Sequence, residues 1–396
     1  MIDIYTSSVI GFFLILAILI YRDRKNIEIK YILFMRRTKK GVKFLDKAAK
    51  PVLFWKIVGT IGIFIALYLM ITGIFTLSDY GIKLLTREVK APSLKFVLPT
   101  PTAEPVVSSG LILLPFWFWI IIIASVIFPH EFMHGILSRV EKIKVKSVGL
   151  LLLGIFPGAF VEPDEKQIKK SGFWTKMRIF AAGGFANFLL ASLLFMPGFN
   201  FGIASISINH GILPDILWPH YVKDGLVINE TNATGPSAEA GLTAGMVLTE
   251  INGQKVTPSY IEYLIGGQWL EQELADVKPG DLVQAVADNR VFYIKVGEYP
   301  NITNRPYLGI TASIILSNDS ESASTILFPL LTWMWELNLA IAIVNLAPIY
   351  PLDGGLMVEA LVEKVSKKYA RKITIAITMI MLFIFFINFA TPFLLD

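Results

Sequence analysis

The sequence predicts a polytopic α-helical membrane protein with about six transmembrane helices, one re-entrant hairpin and a small α+β domain inserted between the helices. The 396-residue chain is 54% hydrophobic and has a mean hydropathy of +0.60, which exceeds the values of soluble domains of this size. Several apolar runs are long enough to cross a bilayer, and loops rich in lysine and arginine separate them. Residues 198–325 differ, because short alternating segments and turn signals replace the apolar runs there.

The charge and the residue types of the chain limit its partners and its metal ligands. The formal net charge of +5 comes from a few short loops and the soluble segment is acidic, so nucleic acid is not predicted as a partner. The chain has no cysteine, which excludes disulfides and thiolate metal ligands. A transition metal would need histidine and carboxylate ligands. Of the four histidines, His210 and His220 are expected to be surface residues, which leaves His130 and His134.

Residues 1–109 are predicted to form an N-terminal membrane anchor. The first apolar run, about residues 4–20, has an acid before it and arginine and lysine after it, which favours an uncleaved signal anchor over a signal peptide. The basic segment 21–50 is then a cytoplasmic loop, and the N-terminus lies outside. A second span, about residues 52–77, leads to a polar outer loop over residues 78–109.

Residues 110–197 are predicted to form the first part of the membrane core. A third span, about residues 110–137, leads inward, and four basic residues follow it directly. The apolar stretch 148–161 is too short for a span and is interrupted by glycine and proline, so it predicts a re-entrant hairpin or loop. A fourth span, about residues 179–196, returns to the outside.

The remaining chain is predicted to hold an outer soluble domain, residues 198–325, and the second part of the membrane core, residues 326–396. The soluble segment contains two strand patterns, a helical turn that starts at Pro236, and an Asn-Gly hairpin turn at residues 252–253. A fifth span, about residues 326–346, leads inward to a basic segment. The sixth, about residues 373–394, places the C-terminus outside.

The third span carries a pattern that favours a zinc site. His130 and His134 are four residues apart, so in a helix they share a face and can bind one ion. Glu131 stands beside them as a base for the attacking water, whose pKa the metal lowers. This pattern also occurs by chance in unrelated helices. Without a metal, however, two histidines and a carboxylate would destabilise an apolar helix.

The third protein ligand of such a zinc ion is expected to be a carboxylate, because the chain has no cysteine and no further histidine nearby. Asp353 follows the inward-leading fifth span, so it should reach the same membrane depth as the two histidines. Pro348 and Pro351 predict unwound backbone there, which a membrane tolerates only where the backbone lines a cavity or packs in protein. A simple turn at a helix end is the alternative interpretation of this stretch.

Part of the soluble segment resembles a PDZ domain of the kind found in prokaryotic membrane proteases. The resemblance covers about residues 221–310 and rests on the sequences PSAEAGL at 236–242 and INGQKV at 251–256. It implies a groove that binds a peptide as an added strand. A small packed domain without a ligand is the alternative.

Four features together resemble the site-2 protease family of intramembrane zinc metalloproteases. They are HEFMHG at 130–135, GGFAN at 183–187, the PDZ-like segment, and NLAPIYPLDGG at 345–355. The resemblance covers most of the chain from about residue 110 and assigns no role to the first two spans. This sequence departs from the family at Tyr350 and Gly184, where the family often has proline.

The resemblance implies a role for each candidate site residue. The zinc ligands would be His130, His134 and Asp353, and the catalytic base would be Glu131. Asn345 and Asn187 would be polar groups near the substrate or the developing oxyanion. In this family the region corresponding to 148–161 forms a membrane-embedded hairpin, whose edge can pair with an unwound substrate.

These observations predict a one-zinc metalloprotease that hydrolyses peptide bonds in or near the transmembrane segments of substrate proteins, as in regulated intramembrane proteolysis. It would lie in the cell membrane with both termini and the PDZ-like domain outside and the active site toward the cytoplasm. One alternative is a catalytically inert membrane adaptor that binds partners through its PDZ-like domain; the presence of Glu131 and all three candidate ligands disfavours it. A transporter is also disfavoured, because no repeat between the two halves is evident.

Overall fold

The protein folds into two compact units. The computed structural model describes residues 3–89, 92–103, 105–108, 110–194, 199–200, 205–206, 222–256, 274, 277–298, 306–316 and 326–394. The first unit comprises residues 1–191 and 333–396, and the second comprises residues 192–332. The chain therefore leaves the first unit once and then returns to it.

Up to residue 194 the described chain alternates between helices and short strands. The helices are α1 (Ile4–Asp23), α2 (Lys40–Ala48), α3 (Val52–Leu85), α4 (Phe116–Val140), α5 (Glu165–Lys170) and α6 (Phe173–Leu194). The strands are β1 (Ile27–Lys30), β2 (Leu33–Thr38), β3 (Phe96–Thr100), β4 (Val106–Ser108), β5 (Leu111–Pro115), β6 (Val145–Leu153) and β7 (Phe156–Pro163).

Among the residues described after 194, strands dominate until the chain returns to the first unit. They are β8 (Phe199–Asn200), β9 (Ser205–Ile206), β10 (Val222–Thr231), β11 (Val247–Ile251), β12 (Gln254–Lys255), β13 (Leu282–Ala287), β14 (Arg290–Lys295), β15 (Gly297–Glu298), β16 (Pro306–Tyr307) and β17 (Ile310–Leu316). The described helices are α7 (Pro236–Glu239), α8 (Phe328–Leu346), α9 (Asp353–Val365) and α10 (Ala370–Leu394).

Six of the described helices are long and apolar enough to cross a membrane, namely α1, α3, α4, α6, α8 and α10. This confirms the prediction of a polytopic helical membrane protein. The second span is longer than predicted and runs to Leu85. The third begins at Phe116, because residues 111–115 form a strand between β3 and β4. Pro115 marks the change from strand to helix, where a missing amide hydrogen is tolerated.

A four-stranded antiparallel sheet in the order β1-β2-β6-β7 lies in the first unit. The sequence predicted only a basic loop over residues 21–50, but residues 27–38 form the hairpin β1–β2 in this sheet. Apolar and charged residues alternate in β1, which is the period of a strand, but the segment is too short and too charged to stand out. At the tip, Gly154 N–H donates to the carbonyl of Ile32 at 2.9 Å, which joins the two hairpin turns.

The β6–β7 hairpin runs along the helix that carries the two histidines. At one end of β7 the Phe156 ring contacts Trp119 with 5.6 Å between ring centroids, and at the other Val161 N–H donates to Glu131 Oε2 at 2.9 Å. On α4 the two contacts are twelve residues apart, which is about 18 Å along a helix. On β7 they are five residues apart, which is about 17 Å along a strand. The hairpin therefore follows the apolar part of α4 for most of its length.

The second unit is built on a sheet in the order β14-β13-β11-β10-β17, with β12 paired to β11. Its core includes the fully buried Ile228, Leu248 and Ala285. The hairpin β11–β12 turns at Asn252 and Gly253, both of which have positive φ, as the Asn-Gly sequence predicts.

Candidate metal centre

Two elements bring three metal-ligating side chains together in the first unit. His130 and His134 lie one turn apart on α4, and Asp353 is the first residue of α9. The Nε2 atoms of the histidines are 3.3 Å apart, and Asp353 Oδ2 lies 3.4 Å from that of His130 and 3.3 Å from that of His134. The three side chains are only 13–14% exposed. The structure thus assembles the three ligands that the sequence predicted from distant positions.

The spacing of these three atoms fits a tetrahedral zinc ion. Tetrahedral ligands at the usual 2.0–2.1 Å from zinc lie about 3.3–3.4 Å from one another. Asp353 Oδ2 is also buried and makes no hydrogen bond within the described residues. A buried carboxylate oxygen without a partner is costly, and a cation at this point would satisfy it. The donor set, two imidazoles and a carboxylate, is one that zinc accepts.

Hydrogen bonds on the far side of each imidazole aim its other nitrogen at the centre of the triad. His134 Nδ1 is 2.8 Å from the carbonyl of Ile179, which can only accept, so Nδ1 carries the proton and Nε2 keeps its lone pair. His130 Nδ1 is 2.8 Å from Asn187 Oδ1. Partners of this kind fix the tautomer and the ring orientation of metal ligands.

Asn187 belongs to a polar network that the sequence analysis did not find. Its Nδ2 donates to the carbonyl of Val126 at 2.8 Å and to Asn338 Oδ1 at 2.9 Å, which orients Oδ1 toward His130. Asn338 Nδ2 donates in turn to Ser125 Oγ at 3.1 Å. Both asparagines are completely buried. The network therefore joins α4, α6 and α8 behind the metal ligand.

The two predicted asparagines occupy different positions. The amide of Asn187 is taken up by His130, Val126 and Asn338, and its side chain does not line the cavity beside the triad. Asn345 is half-buried in the last turn of α8. No hydrogen bond among the described residues joins Asn345 to the triad, and its contact with a substrate stays a prediction.

Asn338 could have been noticed in the sequence as a polar residue inside an apolar span. Such residues are costly in a membrane and usually have a partner. It lies seven residues before Asn345, on the same face of the helix. Its pairing with Asn187 is not predictable from the sequence, because Asn187 belongs to a helix that is far away along the chain.

Glycines allow the close approach of the chains at the centre. A Cβ at Gly183 of α6 would overlap ring atoms of His130 and His134. A Cβ at Gly354 would overlap the carbonyl group of Leu346, at the end of α8. The glycines therefore let α6 pack on the imidazoles and let α9 start against α8, and this second contact sets the position of the Asp353 carboxylate.

A cavity of about 430 Å³ adjoins the triad. Glu131, His134 and Asp353 line it, together with Val161 from β7 and Tyr350 from the connection between α8 and α9. That connection is not helical, as the two prolines in it predict. Among the described residues, Val161 N–H donates a hydrogen bond to Glu131 Oε2 and none donates to Oε1.

The fold and the centre together define a polytopic membrane protein with a candidate metal site, in which a histidine-histidine-aspartate triad and an adjoining glutamate lie among bilayer-length helices. Residues 118–388 match Peptidase family M50, and the chain belongs to this family, the site-2 protease family. Its members are zinc metalloproteases. An uncharacterized protein of Methanocaldococcus jannaschii is 29% identical over 366 residues, which cover 91% of this chain and 87% of that relative.

The family match covers only part of the chain. It starts within α4, so the elements from α1 to β5 lie outside the matched residues. His210 and His220, the other two histidines, lie outside the residues that the structure describes.

Proposed function

We propose that this protein is a zinc-dependent endopeptidase that cuts substrate proteins in or near their transmembrane segments, a reaction of regulated intramembrane proteolysis. The observation that carries the proposal is the near-equilateral triangle of Nε2, Nε2 and Oδ2 atoms at 3.3–3.4 Å, with Glu131 on the wall of the adjoining cavity. An inert adaptor has no need of this arrangement, whose buried polar groups are costly in a membrane.

Each residue of the centre has a proposed role in hydrolysis. Zinc held by His130, His134 and Asp353 would polarise the scissile carbonyl and lower the pKa of the attacking water. Glu131 would accept the proton of the attacking water on Oε1 and return it to the leaving amine. Val161 N–H holds Oε2, so the carboxylate keeps its orientation through both transfers. Asn345 is proposed to donate a hydrogen bond to the substrate or to the developing oxyanion.

The β6–β7 hairpin is proposed to be re-entrant and to bind the substrate as an added strand. It follows α4 from Glu131 to Trp119, and α4 is apolar and of bilayer length, which supports a hairpin that enters the membrane from the cytoplasmic side. A transmembrane helix hides its amides in its own hydrogen bonds and must unwind before cleavage. The free edge of β7 offers backbone partners to the unwound part.

The second unit is proposed to be a PDZ-like domain on the outer side of the membrane, where it binds a peptide end or controls substrate access. The basic loops support this topology, because lysine and arginine concentrate on the opposite side of each span. A cysteine at Gly253, in the β11–β12 turn, should react with a membrane-impermeant reagent added to the outside of intact cells. Reaction only after the membrane is opened would invert the topology.

Cleavage of a defined transmembrane substrate in liposomes tests the proposed activity. Wild-type protein loaded with zinc should cut the substrate, and Asp353→Ala should bind less zinc and cut no faster than background. Asp79→Ala is the matched control, because Asp79 is an exposed carboxylate that pairs with Lys83 at the end of α3. Full zinc binding by Asp353→Ala would show that the third ligand lies elsewhere. No cleavage by the zinc-loaded wild type would favour the adaptor.

A further inference from the structure

A groove with two basic residues lies between the first turns of α3 and those of α6. It has a volume of about 320 Å³, at the lower end of the range of ligand pockets. We call it the basic groove. None of its residues lines the cavity beside the metal triad. Its walls come from two helices, with α3 contributing Lys56, Ile57, Thr60, Ile61 and Phe64, and α6 contributing Arg178.

Arg178 is held in place with part of its guanidinium group unused. Its Nε donates to Thr60 Oγ1 at 3.0 Å, and its Nη1 donates to Glu141 Oε1 at 2.8 Å. A guanidinium group has five N–H groups, so three of them have no partner among the described residues. Because Arg178 lines the groove, an anion in the groove would meet donors that are already oriented.

Lys56 gives the groove a positive charge that the protein does not balance. Glu141 neutralises Arg178, whereas no carboxylate within the described part of the chain pairs with Lys56. The segment that leads into α3 adds to this charge. Residues 39–50 contain five lysines and one acid, Asp46, which pairs with Arg139. The end of the membrane unit around the groove therefore attracts anions.

Helix α2 places more of these lysines on the same side of the membrane as the groove, because only residues 49–51 separate α2 from α3. Leu45 and Ala49 are buried in the cluster that α2 forms with α4. This packing leaves a single exposed face, which carries Lys40, Lys43, Phe44 and Lys47. Lysines beside an exposed aromatic ring are typical of a helix that lies in the interface of a bilayer with anionic lipids.

The depth of the groove matches one leaflet of a bilayer. Helix α3 has 34 residues, about 51 Å, against about 30 Å for the hydrocarbon core. A centred α3 therefore extends about seven residues beyond the core at each end, so Lys56, its fifth residue, falls at the level of the headgroups. Ile57, Ile61 and Phe64 are each at least half exposed. They lead inward to about 12 Å from Lys56, which is most of one leaflet.

We propose that the basic groove binds one anionic phospholipid, with its headgroup phosphate between Lys56 and Arg178. One hydrocarbon chain of this lipid lies along Ile57, Ile61 and Phe64. The net negative charge of the lipid balances Lys56, whereas a zwitterionic lipid carries its own cation. A soluble phosphate pairs with the two basic residues but leaves the apolar residues uncovered. An apolar helix of another protein covers those residues but offers no partner to Lys56.

Fluorescence quenching by brominated lipids tests the site, because the chain has no native cysteine and takes a single label. The label is placed at Leu53→Cys, which is exposed and lies one helical turn before Lys56, beside the groove. Full-length labelled protein in a neutral detergent is titrated with phosphatidylglycerol or with phosphatidylcholine, both with the same brominated chains. A label at Ile71→Cys, exposed in the other half of the same helix, reports unspecific contact with lipid.

Phosphatidylglycerol should quench the Leu53→Cys label at an about fivefold lower concentration than phosphatidylcholine, the difference expected from one unpaired lysine. The Ile71→Cys label should be quenched equally by the two lipids. Lys56→Gln should remove the preference at Leu53→Cys, and this variant should fold because Lys56 is exposed and unpaired among the described residues. Lys83→Gln, at the other end of α3, should keep the preference.

Equal quenching of the Leu53→Cys label by the two lipids, or an unchanged preference in Lys56→Gln, would overturn the inference. The same preference at Ile71→Cys would also contradict it, because the lipid would then not be bound at the groove. Displacement of phosphatidylglycerol by an excess of glycerol phosphate would identify a soluble anion as the ligand instead. Absence of quenching by both lipids would leave a protein helix as the occupant. None of these readouts depends on zinc or on cleavage, so the proposed function is tested separately.

Discussion

Replacement of Asn187 by leucine should weaken zinc binding without removing a zinc ligand. The substitution deletes the acceptor that holds His130 Nδ1 at 2.8 Å, so the ring loses its fixed orientation. Loss of such a partner typically costs about 10-fold to 100-fold in metal affinity, which corresponds to about 1.4–2.7 kcal/mol. Asn187→Leu should therefore raise the zinc dissociation constant by one to two orders of magnitude.

Asn338→Leu should have a smaller effect in the same direction. It removes one of two acceptors of Asn187 Nδ2, and the carbonyl of Val126 remains at 2.8 Å. A hydrogen bond between membrane helices is worth about 0.6 kcal/mol on average and at most about 1.7 kcal/mol. The average value corresponds to roughly a threefold change in affinity. Asn187→Leu should have the larger effect because Asn187 contacts His130 directly, whereas Asn338 is linked to His130 through Asn187.

Asn388→Leu is the matched control for both variants. Asn388 is also completely buried in a span, and its Nδ2 donates to the carbonyls of Leu77 and Ile384 at 2.8 and 2.9 Å, but it has no contact with the metal ligands. Zinc affinity would be measured in detergent by competition with a chromophoric chelator, and the visible spectrum of the cobalt-loaded protein would report ligand geometry. If Asn388→Leu weakened zinc binding as much as Asn187→Leu, the loss would reflect destabilisation and the positioning role would be refuted.

Two further substitutions probe the packing and the base. Gly183→Ala should abolish stoichiometric zinc binding, because the added Cβ would overlap the imidazoles of His130 and His134. Gly172→Ala is the control, because the added Cβ meets open space there and the variant should still bind one zinc ion. Equal zinc contents of the two variants in metal analysis would contradict this packing. Val161→Pro removes the N–H that holds Glu131 and should lower kcat about 10-fold or more, the value of a hydrogen bond to a charged group. Val161→Ala keeps that N–H and should retain kcat in the same cleavage assay, so equal rates for the two would exclude a role for this hydrogen bond.

The spans and the candidate ligands His130 and His134 were predictable from the sequence because each has a local signal. Long apolar runs with basic loops identify six helices, and the four-residue spacing of His130 and His134 places both on one face. Asp353 was predictable by elimination, since the chain has no cysteine and the fifth span leads to the same depth. The turn at residues 252–253 was predictable from its Asn-Gly sequence alone.

The features that the sequence did not reveal depend on contacts between distant segments. Strands β1 and β2 are short and charged, and β1 pairs with β2, which is stabilised by pairing with β6, more than 100 residues away. The link between Asn187 and Asn338 joins two helices separated by the whole second unit. Likewise, α1 contacts α4 near one end and β2 at the other. None of these arrangements leaves a pattern within one segment.

The most direct test of a zinc-dependent protease with Glu131 as its base is a paired measurement on Glu131→Gln and the wild type. The metal content of each purified protein and its cleavage of a membrane-spanning substrate are determined on the same preparation. Glu131 contributes none of the three atoms that approach each other at 3.3–3.4 Å, so both proteins should bind one zinc ion per chain. Only the wild type should cleave the substrate. Cleavage by Glu131→Gln at the wild-type rate, or a wild type that cleaves without bound zinc, would contradict the account.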